Sequence, residues 1–345
     1  MGLIALIISV VLEAIWPLQG RALKPRPDPA ARDAGRDVPA ERASAGPATA
    51  DQPTPHPLQR SAQTLIDAVS RPEEDAPATG ARRSVGTAGW LLVVGVPVVL
   101  VLLLQWLAQA IGILAVLALH VAVLYLTVGV GAFHRQFSEL RLLVGAGEDD
   151  SARAVLACWV GLDPAGESAF PPPNFAGVAM SQTLLAAYRD VFAPLFWYAV
   201  LPGPIGPVLY LFARFAARLT GPFAGTAYRY LDWIPLRLAA LVFALVAHFE
   251  DTVFYVKAMS SIGSLGARPF DAYLHQRLML LPAASGALGL RLTDAGVDEQ
   301  LRTQAPDLDL PDTEPEAASL RPMAGLLFRS AVVWAGIYLL AKLLG

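Results

Sequence analysis

The stretch WLLVVGVPVVLVLLLQWLAQAIGILAVLALHVAVLYLTVGV, residues 90–130, decides the fold class. It carries no charged side chain, and one crossing of a bilayer needs only about 20 apolar residues. Its length therefore predicts two consecutive membrane helices. Gln105, Gln109 and Gly112 near the middle mark the turn of the hairpin. His120 lies in the second half, where hydrogen bonding to a neighbouring helix explains it better than metal ligation.

The rest of the chain follows the same pattern of apolar blocks. Of 345 residues, 55% are hydrophobic and only 16% charged, and the mean hydropathy is +0.48. A soluble domain carries about a quarter charged residues. The net charge of −3 gives no footing for nucleic-acid binding. The one cysteine, Cys158, can build neither a disulfide nor a cysteine-based zinc site within the chain, and no metal site is predicted.

The first block, Leu3 to Pro17, reads as an uncleaved membrane helix spanning residues 1–19. No basic residue precedes Arg21, and Trp16-Pro17-Leu18-Gln19 makes a poor cleavage site. Glu13 either faces a protein interior or ends the helix at the membrane surface. Residues 20–88 are rich in Pro, Ala, Arg, Asp and Glu and predict a long disordered loop.

Beyond the hairpin (residues 89–131), residues 132–322 predict amphipathic helices between broken or re-entrant membrane segments. Leu140, Leu143 and Val144, then Ala154, Val155, Cys158 and Trp159, fall at helical spacing. Glu148-Asp149-Asp150 opens the second of these helices, where acids suit the dipole. Pro171-Pro172-Pro173-Asn174 punctuates, and a helix resumes over Phe175–Arg189.

The next block, Val191 to Leu211, is broken by Leu201-Pro202-Gly203-Pro204-Ile205-Gly206-Pro207. Asp232-Trp233-Ile234-Pro235 reads as a helix start with Asp232 as N-cap, leading into Leu236–Ala247. Ser260-Ser261-Ile262-Gly263-Ser264 reads as a small-residue turn, and Thr303–Ala318 as a mobile acidic loop. Residues 323–345 form the C-terminal membrane helix, with Arg329 snorkelling near one end.

Basic residues set an orientation. Arg21, Lys24 and Arg26, then Arg135 and Arg141, then Lys257, Arg268, Arg277 and Arg291 lie in three loop regions that prefer the cytoplasm. The whole predicts an all-α polytopic integral membrane protein of a bacterial inner membrane. Its partners are the lipid bilayer and a membrane or cytoplasmic protein, with no nucleic acid. Neither a phosphate loop nor a zinc-helix motif occurs, the five histidines are scattered, and the residues alone support no enzymatic activity.

Several segments in order resemble a known family: Ala152-Arg153 with Val160-Gly161-Leu162-Asp163, then Ala193-Pro194-Leu195-Phe196-Trp197-Tyr198. Trp233-Ile234-Pro235-Leu236-Arg237-Leu238 and Gly286-Ala287-Leu288-Gly289-Leu290-Arg291-Leu292 follow. Together they resemble the CobD/CbiB membrane proteins of cobalamin biosynthesis. That family joins adenosylcobyric acid to an aminopropanol arm using ATP. Arg189 four residues before the Ala-Pro-Leu-Phe-Trp run, the Leu231–Leu238 run and His248 resemble its AmpE-like branch, which is associated with β-lactamase regulation.

The departures from the enzymes' pattern bear on activity. Where the enzymes carry E-N-x-x-D-G, the chain has Leu185, Ala186, Arg189 and Asp190, and their Asn before Trp-x-Pro is Asp232. Phe215–Thr220 offers nothing like their N-T-x-D stretch. Amide formation driven by ATP needs carboxylates to hold Mg²⁺ and phosphates. The resemblance thus implies a non-catalytic sensor or regulator, or alternatively a divergent adenosylcobinamide-phosphate synthase, with ATP and Mg²⁺ as cofactors only in that case. The polar candidates for a buried cavity are Glu13, Arg189, Asp190, Asp232, Arg237 and His248.

Overall fold

The computed structural model describes Ala5, Ile8 and residues 87–160, 175–219, 222–265, 272–304, 308 and 310–344. Glu13 and nearly all of the predicted 20–88 loop lie outside the described residues. Among the described residues every regular element is helical.

Helix α1 (Thr87–Ile111) and α2 (Ile113–Thr127) are joined by the single residue Gly112, at φ 139°. Gln105 and His120 both come within 3.5 Å of the position a side chain would take at Gly203. Two residues on opposite sides of Gly112 can share that neighbour only if the helices fold back on each other. The predicted hairpin therefore forms where the sequence placed it.

Its two arms differ in reach. A 25-residue helix is about 37 Å long and a 15-residue helix about 22 Å, against a hydrocarbon core of about 30 Å. Among the described residues only α1 and Leu320–Leu340 are long and apolar enough to cross a membrane. Of the membrane helices predicted here, α1 and the C-terminal helix qualify as candidate spans, whereas α2 stops at Thr127 and is shorter than a full crossing needs.

Helices α3 (Val130–Ala146) and α4 (Asp149–Val160) form as the apolar spacing predicted. Gly147 ends α3 at φ 75°, a conformation that favours glycine. Helix α5 (Phe175–Ala187) runs into a π-helical turn at Tyr188–Phe192 and then α6 (Ala193–Val200). The Pro/Gly run breaks the chain as predicted, and α7 (Ile205–Leu219) begins after Gly203.

Helix α8 (Pro222–Val246) corrects the reading of Asp232 as a cap: the residue lies ten positions inside the helix, and Pro235 is also internal. Helix α9 (Phe249–Leu265) absorbs Ser260–Ser264, which form helix and no turn. Helices α10 (Ala272–Leu288), α11 (Ala295–Gln304) and α12 (Leu320–Leu344) complete the chain.

The acidic segment before α12 ends in a 3-10 turn at Ala317–Ser319, and its described part is docked. Leu310 and Pro315 are buried, and the Arg291 amide donates to the Thr313 carbonyl (2.8 Å). Arg329 is tied to the end of a neighbouring helix. It donates to the carbonyl of Val246, the last residue of α8, at 3.2 Å, where a cation offsets the helix dipole.

The core lies among α5, α7, α8, α10 and α12, with Leu184, Leu236, Phe243, Leu280 and Leu326 fully enclosed. Close approach is enforced at Gly286, where an added Cβ would stand 2.8 Å from the Tyr255 ring and 2.9 Å from the backbone of α9. Glycine there lets α9 and α10 meet.

Candidate polar site

Pro194 begins the local explanation. It has no N–H, so it cannot bond the carbonyl of Asp190 four residues back. The next amide back, of Ala193, reaches instead to Tyr188, which gives the π-helical turn. Two carbonyls are left over and both are taken. The Gly129 amide donates to Asp190 O (3.0 Å), and Arg214 Nη1 donates to Arg189 O (2.9 Å). The Pro of the Ala-Pro-Leu-Phe run thus turns the residues before it toward the helices around them.

The turn delivers Tyr188 to Asp232. Asp232 is 1% exposed, and its carboxylate accepts three hydrogen bonds. Tyr188 and Tyr210 hydroxyls donate to Oδ1 at 2.7 and 3.0 Å, and Gln276 Nε2 donates to Oδ2 at 2.7 Å. The second Gln276 N–H goes to the Tyr228 hydroxyl (2.8 Å). Since the Tyr210 proton is committed to Asp232, the Tyr210–Tyr228 bond of 2.8 Å has Tyr228 as donor. Gln276 Oε1 accepts from Arg189 Nε (2.7 Å), and that guanidinium lies 4.8 Å over the Tyr273 ring.

The electrostatics follow from this accounting. Burial pushes the Asp232 carboxyl above its ordinary value, and the donated hydrogen bonds and Arg189 pull it back. With three donors aimed at two oxygens, the ionised form satisfies every donor, whereas a protonated carboxyl would strand its own proton. Burial and the Asp232 charge push the hydroxyls of Tyr188, Tyr210 and Tyr228 well above the usual tyrosine value, so they stay donors.

A second pair adjoins it. Arg214 Nη1 lies 2.6 Å from Asp190 Oδ1, and the Tyr273 hydroxyl donates to Arg214 O (3.0 Å). Arg189 and Asp190, adjacent in sequence, serve different partners, Gln276 and Arg214.

Of the six predicted candidates, the structure brings together Arg189, Asp190 and Asp232. Arg237 lies apart, stacked 4.1 Å over Trp233 on the outer face of α8. His248 is exposed at the α8–α9 junction, where its carbonyl accepts from the Thr252 hydroxyl (2.7 Å). Glu13 lies outside the described residues. The sequence reading missed Tyr188, Tyr210, Arg214, Tyr228, Tyr273 and Gln276. Tyr228 lies one helical turn before Asp232, and that spacing was the only signal available for it.

The family-like residues have packing roles here. Ala193 and Pro194 are buried, Leu195, Phe196 and Trp197 are half-buried, and the Phe196 ring meets Trp334 of α12 edge-on at 6.2 Å. Trp233 is exposed and Pro235 buried. Gly289 turns the chain after α10 at φ 65°, and Arg291 stands 3.9 Å from Asp298. His120 bonds the Tyr198 hydroxyl at 2.8 Å, as expected of a histidine held by a neighbour. Among the described residues no group of three His, Cys, Asp or Glu side chains converges on a point that could hold a metal ion. No family model, no curated protein and no solved structure matches the chain.

Proposed function

We propose that the chain is a multi-pass inner-membrane protein of the CobD/CbiB type that acts as a non-catalytic sensor or regulator, on the AmpE-like side of that family. The observation that supports the non-catalytic part is how Asp232 is engaged: three of its roughly four acceptor sites are taken by neighbouring side chains. Its oxygens are occupied by Tyr188, Tyr210 and Gln276, and Gln276 is occupied in turn by Arg189 and Tyr228. A carboxylate that binds Mg²⁺ or polarises a phosphate needs accessible oxygens, and Asp232 is 1% exposed with both oxygens already accepting. This one is arranged as a packing lock that joins the π-helical turn after α5 to α7, α8 and α10.

Membrane residence is supported by the outer faces. Leu91, Leu103, Trp106 and Ile111 on α1 and Phe328, Val332 and Leu340 on α12 are exposed over the length of two candidate spans. Apolar surface of that extent is costly in water and favourable in lipid. Regulation would pass through a protein partner at the membrane or in the cytoplasm.

The test is complementation. In a bacterium lacking the synthase that attaches the aminopropanol arm, the chain should not restore cobalamin-dependent growth. Restored growth would replace the regulatory reading with the ligase. In its own host, deletion should alter β-lactamase induction; unchanged induction would count against a regulator.

A further inference from the structure

A cleft of about 630 Å³ opens between the end of α3 and the foot of α12. Its walls are Arg141, Val144 and Gly145 on one side and Ala318, Leu320 and Arg321 on the other. Both arginines are exposed, and among the described residues neither forms an ion pair, although Glu139 and Glu316 are nearby in sequence. The N-terminal end of the helical run that starts with a 3-10 turn at Ala317–Ser319 and continues as α12 adds positive potential at the same place. The cleft is thus cationic with an apolar lining, and it sits where a candidate span begins.

What lies below the cleft selects among anions. Phe328, Val332 and Leu339 follow Arg321 by 7, 11 and 18 residues. At 100° per residue these positions fall within about 20° of the Arg321 direction, so they form one stripe down the helix. All three are exposed, Phe328 at 71% and Val332 at 57%. A cationic head followed by an apolar stripe of roughly 27 Å matches the division of a phospholipid into headgroup and acyl chain. A free phosphate would leave the stripe unused.

We infer that this cleft binds the headgroup of an anionic phospholipid, its phosphate between Arg141 and Arg321 and its acyl chains along Phe328, Val332 and Leu339. The inference rests on the membrane reading above and adds a lipid class and a site to it. Basic pockets beside membrane helices on the cytoplasmic side recognise anionic headgroups in the same way.

The experiment uses the full chain in nanodiscs of phosphatidylcholine with or without phosphatidylglycerol, then gentle extraction and native mass spectrometry. Phosphatidylglycerol should remain bound to the wild-type chain. R141Q/R321Q should weaken its retention about ten- to thirty-fold, as expected for two basic residues at a lipid surface. R302Q, on α11 away from the cleft, should not.

Equal retention in wild type and R141Q/R321Q would overturn the site. A second readout needs no variant: phosphatidylglycerol should raise the melting temperature of the wild-type chain more than millimolar inorganic phosphate does. Equal stabilisation by phosphate would overturn the lipid in favour of a small anion. Carbonate washing of cell membranes separates the two readings. A chain that resists washing but shows equal retention loses only the site, and a chain that washes off loses the membrane reading with it.

Discussion

Tyr188 and Asp232 stand 44 positions apart in the chain and 2.7 Å apart at hydroxyl and carboxylate, in the interior where α5, α7, α8 and α10 meet. The bond exists because Pro194 forces a π-helical turn that brings Tyr188 round to α8. A buried carboxylate without partners is strongly destabilising, so the lock works only as a set. Asp232→Ala leaves two hydroxyls and an amide without their acceptor and should cost roughly 3 kcal/mol or more. Tyr188→Phe removes one donor and should cost about 1–2 kcal/mol. Chemical denaturation in detergent measures both. A double-variant cycle with zero coupling would show that the two groups do not interact.

Pro194→Ala restores an N–H opposite the Asp190 carbonyl and lets an α-helical register compete with the bond from Gly129. Hydrogen–deuterium exchange at the Gly129 amide should then accelerate. Unchanged protection at Gly129 would mean that the π-helical turn has another cause.

Gly286→Ala puts a methyl group 2.8 Å from the Tyr255 ring and 2.9 Å from α9 backbone atoms. Backbone cannot yield as a side-chain tip can, so α9 and α10 must separate at a cost of about 1–3 kcal/mol. The melting temperature should fall. Gly336→Ala, inside α12 with open space around its Cβ, is the matched control and should leave the melting temperature in place or raise it slightly.

His275, on α10 and outside both candidate spans, is buried and within reach of the Arg229 and Arg237 charges. Burial first, and those arginines second, push its pKa down from 6.5 to about 4. The folded state therefore holds fewer protons than the unfolded state between these values, and stability rises with pH across that window. The contribution is fully present above about pH 6.5 and is lost as pH falls toward 4, at most about 3 kcal/mol. Denaturation midpoints at pH 4.5 and 7 should differ for the wild type and converge in His275→Gln. A variant with the same pH slope would remove His275 as the cause.

Arg141 and Arg321 line one cleft, so the end of α3 and the start of α12 lie on one side of any bilayer that α12 crosses. In a Cys158→Ser background, Glu148→Cys and Glu314→Cys should both react with an impermeant thiol reagent from the cytoplasmic face only. Labelling of the two from opposite faces would contradict the arrangement.

Read alone, the sequence determined the helical class, a hairpin break within Gln105–Gly112, the Leu201–Pro207 interruption and the apolar runs. Each of these follows from local chemistry: uninterrupted apolar length, glycine at positive φ, proline without an amide proton. It also marked Arg189, Asp190 and Asp232 as polar residues in apolar surroundings. Tertiary structure alone decided what they do. Asp232 looks like a cap beside Pro235 until α7 and α10 enclose it, because capping is local and burial is not. Tyr210 and Gln276 carry no signal in their own segments, since a tyrosine in an apolar helix packs equally well without a carboxylate opposite. The Arg141–Arg321 cleft joins residues 180 positions apart, and no periodicity within either helix could have brought them together.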